Sequence, residues 1–569
     1  MSDEKNGVQA AVRARLIAEC AQTEWDIVVI GGGITGAGIL LEAARRGSKV
    51  LLVEQRDFAW GTSSRSSKLV HGGLRYLKEG QLGLTRDSVR ERQNLLREAR
   101  GLVEPQSFAF ANYKGRKPGR WLFQLGLAVY DRLAGTRGRH YYPAGDFLML
   151  APHIDTTDLQ GGMCYVDAKT DDARLVLRVL QEARGLGAVA INYLAAQKLQ
   201  RQGEQPDVAV TEVLLRDAVT GQSVTARAKV VINATGAWAD RLRQQQGEKT
   251  RLRPLRGSHL VFPAWRLPVA QAVSMMHPVD GRPVFVFPWE GATLVGTTDV
   301  DHGHDVGQEA TITPAEIAYL MAALRSQFPQ LQLTSNDVIA TYAGVRPVID
   351  TGKADPSKEG RDHAVWMENG LLTVTGGKLT TFRLIALDAL QHIAPLFSQW
   401  DVPALTPSLW RPSAPLNYSR GLQTQQAQRL LGHYGDRAQE VLDAAHAGEL
   451  RPIGGTETLW VELRWAARTE AVVHLQDLML RRTRLGLLQC GGGIALLPRI
   501  RVICQAELGW TDAQWEVEQA AYLTLWRRHY GPPSVLGDAT ASASPPCGPS
   551  MLPLAVAQTS SNALEPLHV

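Results

Sequence analysis

The sequence lacks the features of several protein classes, and each absence narrows what the chain can be. Its 569 residues contain five cysteines, which are scattered and never form a Cys-x-x-Cys pair. An odd, unpatterned set of this kind argues against a disulfide framework or a zinc site, so we expect no metal and a reducing compartment. Acidic and basic residues nearly balance. The formal net charge of +5 is too small to indicate nucleic-acid binding by itself.

The sequence also lacks an apolar segment of the ~20 residues that are needed to cross a bilayer. Residues 1–24 are polar and charged, without the apolar core of a signal peptide. We therefore expect a protein that is soluble or lies on a membrane surface. The hydrophobic fraction of 44% is ordinary for globular proteins, and the length allows several domains.

A glycine-rich turn is the clearest motif, because it stands between an apolar strand and a helix. The strand at 26–30 leads into Gly31-x-Gly33-x-x-Gly36, and a second apolar strand further on ends in Glu54. The three glycines allow a tight turn, close approach to a pyrophosphate, and close helix packing. The helix N-terminus attracts phosphate, and Glu54 is placed to accept hydrogen bonds from ribose hydroxyls. The motif predicts a dinucleotide site but does not distinguish NAD from FAD.

A polar loop and a compact cluster of reactive side chains follow the second strand. The loop contains Thr62, Ser63, Ser64, Ser66, Ser67 and Lys68. Such donors bind phosphates or a flavin ring, although they also cap helices. His71-Gly-Gly-Leu-Arg75-Tyr76 then brings an imidazole, a guanidinium and a phenol together, and after a nucleotide fold this favours a catalytic role.

Later segments repeat the pattern of a strand followed by a small-residue turn. The apolar run 229–232 ends in Asn-Ala-Thr-Gly at 233–236, which either lets the backbone approach a ligand or simply forms a tight turn. The strand predicted at 371–375 leads into Gly-Gly-Lys and a helix start near Thr380, a second helix N-terminus suited to an anion or a carbonyl group of the cofactor. We expect Asp172 to cap the helix 173–183.

Between residues 251 and 341 the pattern changes to short β-rich pieces separated by Pro and Gly turns. Strands are predicted at 284–287 and 293–296, in a sheet that would cover the bound cofactor. His259 and Asp299 lie at strand ends. Each of the two either orients a flavin or substrate group or is a structural residue, and the sequence leaves both readings open.

Nine segments, in this order, carry a resemblance to a known family: 31–38, 62–64, 66–77, 171–177, 233–238, 257–259, 296–299, 344–347 and 376–382. They resemble the FAD-dependent glycerol-3-phosphate dehydrogenases, and within that family the aerobic, quinone-linked type. The likeness extends over about residues 25–530. Its Ser-Ser-Lys…His-Gly-Gly-Leu-Arg-Tyr element is far more specific than the glycine turn.

The resemblance implies an α/β fold with a discontinuous, Rossmann-like FAD-binding domain, an inserted β-rich substrate domain and a C-terminal all-α domain. The expected ranges are 25–395 for the oxidoreductase unit, with FAD-binding parts at 25–90, 165–250 and 345–395 and substrate or cap parts at 91–164 and 251–344, then 400–532 for the helical domain and 538–569 for a disordered tail. In the segment 470–484, which matches the helical domain, we expect the charges to form structural pairs.

The resemblance also implies the reaction, which is oxidation of sn-glycerol 3-phosphate to dihydroxyacetone phosphate with hydride transfer to N5 of FAD. Arg75, Arg346 and Lys378 are the expected cations at the substrate or flavin edge, and Tyr76 would hold a substrate oxygen. His71 is the candidate base, because its ordinary pKa of ~6.5 suits proton transfer near neutrality. The alternative is that His71 only hydrogen-bonds the flavin and a water polarised by an arginine takes the proton.

The residues expected to contact FAD belong to the motifs described above. They are Gly31, Gly33, Gly36, Glu54, Thr62, Ser63, Ser64, Ser67, Lys68, His71, Ala234, Gly236, Gly377, Leu379 and Thr380. Arg346 is expected to be catalytic as well as substrate-binding.

The segment 113–143 has an apolar, aromatic centre between clusters of arginine and lysine. This pattern is typical of a helix in an anionic bilayer interface, although a core helix with solvated ends also fits. With the resemblance, it predicts a cytoplasmic enzyme held peripherally on the inner membrane, passing electrons to ubiquinone. A homodimer is compatible with the sequence. Alternatives are an oxygen-using glycerol-3-phosphate oxidase, a flavin-bearing tRNA-modifying protein and an inactive binding or sensor protein.

Overall fold

The computed structural model describes residues 2–73, 82–116, 119–135, 138–201, 210–353, 359–360, 362–398, 400, 408–417 and 422–532. The tail predicted at 538–569 lies outside these ranges.

The strands of the described chain divide between two sheets. In chain order they are β1 (Glu24–Ile30), β2 (Val50–Val53), β3 (Leu69–Val70), β4 (Val103–Tyr113), β5 (His140–Pro143), β6 (Leu159–Thr170), β7 (Val189–Ile191), β8 (Leu194–Arg201), β9 (Val210–Asp217), β10 (Ser223–Asn233), β11 (Leu252–Pro263), β12 (Ala272–Met276), β13 (Pro283–Trp289), β14 (Ala292–Gly296), β15 (Val300–Asp301), β16 (Ala340–Ile349), β17 (His363–Glu368) and β18 (Leu371–Gly376).

The helices pack on both sheets and form the C-terminal region. They are α1 (Ser2–Gln22), α2 (Ile34–Ala44), α3 (Leu82–Glu98), α4 (Arg120–Ala134), α5 (Ala144–Leu150), α6 (Asp172–Arg184), α7 (Ala239–Gln245), α8 (Pro314–Gln327), α9 (Phe382–Ile393), α10 (Thr424–Tyr434), α11 (Ala438–Asp443), α12 (Trp460–Thr469), α13 (Leu475–Asp477), α14 (Leu485–Leu488), α15 (Leu497–Leu508) and α16 (Asp512–His529). A π-helical turn, Leu478–Arg482, joins α13 to the residues before α14.

The first sheet has β1 near its centre, in the order β17-β18-β10-β1-β2-β7, and β8 and β9 extend it beside β10. β1 is parallel to both β2 and β10, as the predicted βαβ unit requires. Both faces of β1 are buried. Ile27 and Val29 pack with α2, α6 and α9, whereas Val28 and Ile30 pack on the α1 side. This double burial explains why the strand is a continuous apolar run.

The second sheet has the order β15-β11-β14-β13-β12-β4-β6-β3, with β16 beside β11 and β5 beside β6. Its neighbours are antiparallel except for β4 and β12. One set of buried residues on this sheet packs against α8, and another packs against the C-terminal helices. Two strands of this sheet, β6 and β16, cross the predicted domain limits at residues 165 and 345.

The C-terminal helices are joined to the first sheet by buried ion pairs. Asp57 lies just after β2 and pairs with Arg481 and Arg482. On α6, Arg174 pairs with Glu470. The charges predicted to form structural pairs in 470–484 do so, and they hold separate parts of the chain together.

The cap of α6 differs from the prediction. Asp171, not Asp172, is the N-cap residue, because its backbone is extended and its carboxylate accepts a hydrogen bond from the N–H of Arg174 at 3.1 Å. Asp172 is the first helical residue, and its carboxylate instead accepts from the backbone and hydroxyl of Ser66 and from Lys68.

Among the described residues, no helix combines the length and the hydrophobicity that a bilayer crossing needs.

Candidate active site

The glycine turn after β1 has no room for a side chain at two of its three motif positions. Gly31 has φ +118°, and a Cβ atom there would lie 2.5 Å from the carbonyl oxygen of Ala234. A Cβ on Gly36 would lie 1.9 Å from the carbonyl oxygen of Gly31. Gly33 precedes α2 and meets only the side chain of Ser63, at 3.1 Å from the position of its Cβ. The turn therefore leaves its backbone open at the helix N-terminus, as a pyrophosphate site requires.

Glu54 stands at the end of β2 beside this turn. Its two carboxylate oxygens accept hydrogen bonds from the N–H groups of Gly32, at 2.7 Å, and Arg56, at 2.9 Å. Burial raises the pKa of Glu54, although these two backbone donors oppose that effect. The carboxylate is held in one orientation, and each oxygen has a second lone pair with which to accept a ribose hydroxyl. The turn, the helix and Glu54 fit the diphosphate and ribose of FAD.

The residues after β10 form the opposite wall of the turn. Ala234 donates its N–H to the carbonyl oxygen of Ile30, and Gly236 accepts a hydrogen bond from the hydroxyl of Thr375. The indole N–H of Trp238 is buried and has no partner among the described residues. The strand ends that were predicted to approach a ligand therefore meet at the edge of the glycine turn.

The polar loop at 62–68 forms hydrogen bonds with three other segments of the chain. Thr62 donates to the carbonyl oxygen of Val345 on β16, and Ser63 accepts from the N–H of Ile34 at the start of α2. The hydroxyl of Ser67 lies 3.0 Å from Nε2 of His259 on β11. The loop thus joins the first sheet to the second.

Lys68 is buried inside this loop and does not lie on an open surface. Its ammonium group is 2.9 Å from Asp172, donates to the carbonyl oxygen of Ser64 at 3.0 Å, and lies over the rings of Trp289 and Tyr342. Burial lowers the pKa of Lys68 to about 8, and the charge of Asp172 partly opposes this. The structure thus places both Lys68 and the carbonyl of Ser64 in a buried network.

His71 follows β3 and is held by an acid that the motifs do not reveal. Its Nδ1 lies 3.3 Å from Oδ2 of Asp167 on β6, and its ring packs against Phe108 and Phe285. The hydroxyl of Thr380 donates to the carbonyl oxygen of His71 at 3.2 Å. The imidazole remains partly exposed, so it is both oriented and accessible.

Asp167 is the centre of this cluster. Besides His71, its carboxylate accepts from the N–H of Gly72 at 3.0 Å, from Arg92 at 2.7 Å and from the hydroxyl of Tyr130 at 3.2 Å. Burial would raise the pKa of Asp167, but the hydrogen bonds and charges of His71 and Arg92 outweigh it, and the pKa is lowered. The acid lies about a hundred residues from His71 in the chain, so no local pattern could have indicated the pair.

Arg346 on β16 is fixed by the strand ends beside it. One of its nitrogens donates to Asp299 at 2.8 Å, and another donates to the hydroxyl of Thr297 at 3.2 Å. A Cβ on Gly257 would lie 2.3 Å from the guanidinium, so that glycine leaves room for the arginine. Asp299, one of the two strand-end residues singled out in the sequence, therefore positions the guanidinium of Arg346.

Lys378 stands at the corner after β18. Gly376 and Gly377 have positive φ angles of 79° and 74°, and together they turn the chain into the short 3-10 turn Leu379–Thr381 and then into α9. The Lys378 ammonium donates to the hydroxyl of Ser88 on α3 at 3.0 Å. The predicted corner is therefore present. Arg75 and Tyr76 lie outside the described residues.

His259 is buried between the polar loop at 62–68 and Arg346. Its ring stacks on Tyr342 at 4.6 Å, and its Nδ1 has no partner among the described residues. Burial, together with the charges of Arg346 and Lys68, holds the pKa of His259 well below its ordinary value. The imidazole is therefore neutral, and it presents one nitrogen to Ser67.

Two family models cover most of the chain. Residues 26–383 match the model described as FAD dependent oxidoreductase, and residues 391–515 match the C-terminal domain of alpha-glycerophosphate oxidase. Together with the glycine turn, Glu54 and the parallel first sheet, these matches define the class: the protein is an FAD-dependent oxidoreductase.

Individual relatives show which family of FAD-dependent oxidoreductases the chain belongs to. The chain is 34% identical over 486 residues to the aerobic glycerol-3-phosphate dehydrogenase of Staphylococcus aureus (strain USA300), over 81% of this chain and 86% of that protein. It also matches the structure of the glycerol-3-phosphate dehydrogenase from Bacillus halodurans complexed with FAD, at a TM-score of 0.73 and 29% identity, over 91% and 97% of the two chains. The chain belongs to the aerobic glycerol-3-phosphate dehydrogenase family, which confirms the resemblance, the fold class and the cofactor predicted from the sequence.

A more distant likeness shows the shared fold alone. L-alpha-glycerophosphate oxidase from Mycoplasma pneumoniae, with FAD bound, matches at a TM-score of 0.52 and 18% identity, over 66% of this chain and 95% of that chain. The fold is therefore common to a dehydrogenase and an oxidase, and it does not by itself distinguish between electron acceptors.

Proposed function

We propose that the protein oxidises sn-glycerol 3-phosphate to dihydroxyacetone phosphate and passes the electrons to membrane ubiquinone. The observation that supports the reaction is a continuous set of contacts that joins the predicted base to the two described cations. Lys378 and Thr380 share one turn, and Thr380 donates to the carbonyl of His71. The ring of His71 packs on Phe285, which pairs with Gly296, and the next residue, Thr297, accepts from Arg346.

The described residues support a distinct role for each of these side chains. When bound, FAD supplies the hydride acceptor for the carbinol carbon. His71 takes the hydroxyl proton on Nε2, because Nδ1 faces the carboxylate of Asp167. Arg346, held by Asp299, binds substrate oxygens as a rigid fork, and Lys378 supplies a point charge for the phosphate or the flavin edge. Arg75 and Tyr76 complete the substrate site that we propose.

The outer face of α4 supports the membrane part of the proposal. Trp121, Leu122 and Leu125 are 77%, 68% and 64% exposed, respectively. Arg120, the first residue of α4, lies over the rings of Trp121 and Tyr141, and the exposed Arg116 precedes the helix in the chain. A core helix would bury these apolar residues. An apolar helix face with arginines at its border instead suits an anionic bilayer interface, at which a quinone is accessible. We place this surface on the cytoplasmic face of the inner membrane.

The decisive experiment is anaerobic addition of sn-glycerol 3-phosphate to the detergent-purified flavoprotein. Bleaching of the flavin spectrum, followed by recovery of the colour on adding a ubiquinone analogue, is expected. Bleaching by an amino acid instead would contradict the substrate. Recovery with oxygen but not with the quinone, with peroxide formed in step with product, would contradict the acceptor and indicate an oxidase.

A further inference from the structure

The helix that carries the exposed apolar face also reaches the base of the active site. α4 turns Trp121 and Leu125 outward and buries Tyr130, which is 1% exposed. The hydroxyl of Tyr130 lies against the turn that follows His71, where a Cβ on Gly72 would be 2.0 Å away. One helix thus contacts the proposed lipid surface on one side and the His71–Gly72 turn on the other.

The hydroxyl of Tyr130 is part of the hydrogen-bond network of Asp167. It accepts from Arg92 at 2.6 Å and donates to the Asp167 carboxylate at 3.2 Å. All three side chains are buried. Tyr130 therefore supplies one of the hydrogen bonds that set the position of the Asp167 carboxylate beside His71, together with those from Gly72 and Arg92.

The position of that charge matters for the proton transfer. An ionised carboxylate only accepts hydrogen bonds, so it selects the His71 tautomer that carries its proton on Nδ1. Nε2 is then unprotonated and free to take a proton from the substrate. Asp167 does not touch the substrate in this arrangement. It acts through His71.

We propose that Asp167 is the positioning residue of His71, and that Tyr130 couples the position of His71 to the binding of α4 to an anionic lipid surface. This inference rests on the proposed function, because it assumes both His71 as the base and α4 as the membrane contact. It adds a consequence that neither assumption contains: lipid binding changes the rate of the first half-reaction, before any quinone is reduced.

The role of Asp167 is tested with Asp167→Asn, which keeps the shape and removes the charge. We expect kcat to fall by about 100-fold or more, the usual size of a general-base contribution, with the KM for sn-glycerol 3-phosphate almost unchanged. Asp167→Glu should recover part of the loss if the variant binds FAD normally. A kcat within a factor of two of wild type, or a loss confined to KM, would contradict the positioning role.

The coupling is tested by anaerobic stopped-flow bleaching of the FAD-loaded protein by sn-glycerol 3-phosphate, with and without vesicles containing phosphatidylglycerol. In the wild type we expect vesicles to raise the bleaching rate constant by about fivefold or more, the lower end of ordinary coupling between sites. Tyr130→Phe removes only the hydroxyl. This variant should bind the vesicles, but its bleaching rate constant with vesicles should be almost the same as its rate constant without them.

Tyr113→Phe is the matched control, because its buried hydroxyl on β4 also has two hydrogen-bond partners, Asp155 and Gln327, but no contact with Asp167. It should retain the stimulation. Equal stimulation of Tyr130→Phe and wild type, or no stimulation of a wild type that binds vesicles, would overturn the coupling alone. A wild type that is not bleached at all would overturn the proposed function as well.

Discussion

Asp57, just after the second strand, and Arg482, in the C-terminal helical region, form a doubly hydrogen-bonded pair at 2.6 and 2.8 Å, and both side chains are completely buried. Arg481 donates to the same carboxylate. A helical region that is far away in sequence therefore neutralises an acid next to the glycine turn. The FAD-binding sheet and the helical region are expected to unfold together.

The first prediction concerns this pair. Asp57→Ala leaves the buried guanidinium of Arg482 without its acid and leaves Arg481 with Asp477 alone, and we expect a loss of about 3–5 kcal/mol in the free energy of unfolding. Thermal unfolding of the FAD-loaded protein measures it. The control is Asp512→Ala, whose pair with Arg501 is exposed, and which should change the stability by less than about 1 kcal/mol. Similar losses of unfolding free energy in both variants would contradict the stabilising role of the buried Asp57 pair.

The second prediction is the acid dependence of the same pair. Burial would raise the pKa of Asp57, but the two arginines outweigh burial and lower it to about 2. The unfolded value is ~3.9, so the unfolded chain binds the proton first. The stabilisation is therefore complete above about pH 4 and is lost as the pH falls towards 2. In unfolding titrations, the difference in stability between wild type and Asp57→Asn should shrink over this interval. A constant difference would contradict the lowered pKa.

The third prediction concerns the glycine turn. In Gly36→Ala the new methyl group would meet the carbonyl oxygen of Gly31 at 1.9 Å, so the turn and α2 must separate. We expect the purified variant to contain almost no FAD, as measured from its absorbance spectrum. Gly303→Ala is the control, because its added carbon would meet no atom within 4 Å other than those of its chain neighbours. A normal FAD content in Gly36→Ala would show that the turn does not hold the diphosphate.

The fourth prediction concerns the fork of Arg346. Arg346→Lys keeps the charge but loses the planar pair of donors, so kcat/KM for sn-glycerol 3-phosphate should fall by about 10–100-fold, the equivalent of one hydrogen bond to a charged group. Steady-state kinetics with an artificial acceptor measure it. Arg253→Lys on β11 removes a comparable fork from an exposed pair with Asp301, and it should leave kcat/KM almost unchanged. Equal losses of kcat/KM in the two variants would contradict the assignment of Arg346 to the substrate site.

The fifth prediction concerns the outer face of α4. Replacing Trp121 and Leu125 with Glu removes two exposed apolar groups, each worth ~1.5 kcal/mol or more on burial in lipid, so vesicle affinity should fall by about 100-fold. Co-sedimentation with phosphatidylglycerol vesicles measures it. Val517→Glu, on α16, is the control, because Val517 is exposed to a similar extent. Reversing Arg116 and Arg120 to Glu should also release the protein. Unchanged binding in both α4 variants would exclude this surface.

Local sequence was sufficient for the elements whose chemistry depends on neighbours in the chain. The run 26–30 is β-branched and apolar because both of its faces are buried, and the structure has β1 at Glu24–Ile30. Two glycines of the predicted turn, Gly31 and Gly36, are positions at which an added Cβ would collide with backbone. Neighbours in the chain do not decide which residue caps a helix. Asp171 and Asp172 are chemically identical, and only the extended backbone at Asp171 decides which of them caps α6.

The sequence by itself determined the nucleotide-binding unit, the β-rich insertion and the helical C-terminal region, because their patterns lie within short segments. His71 stood out as a candidate by its local cluster of reactive side chains, whereas Arg346 and Lys378 became candidates through the family resemblance. Only the tertiary structure decided their partners. Asp167 reaches His71 because β3 pairs with β6, and Asp57 meets Arg482 because helices more than 400 residues away pack beside β2. Such pairs depend on contacts between distant segments, which a single sequence does not display.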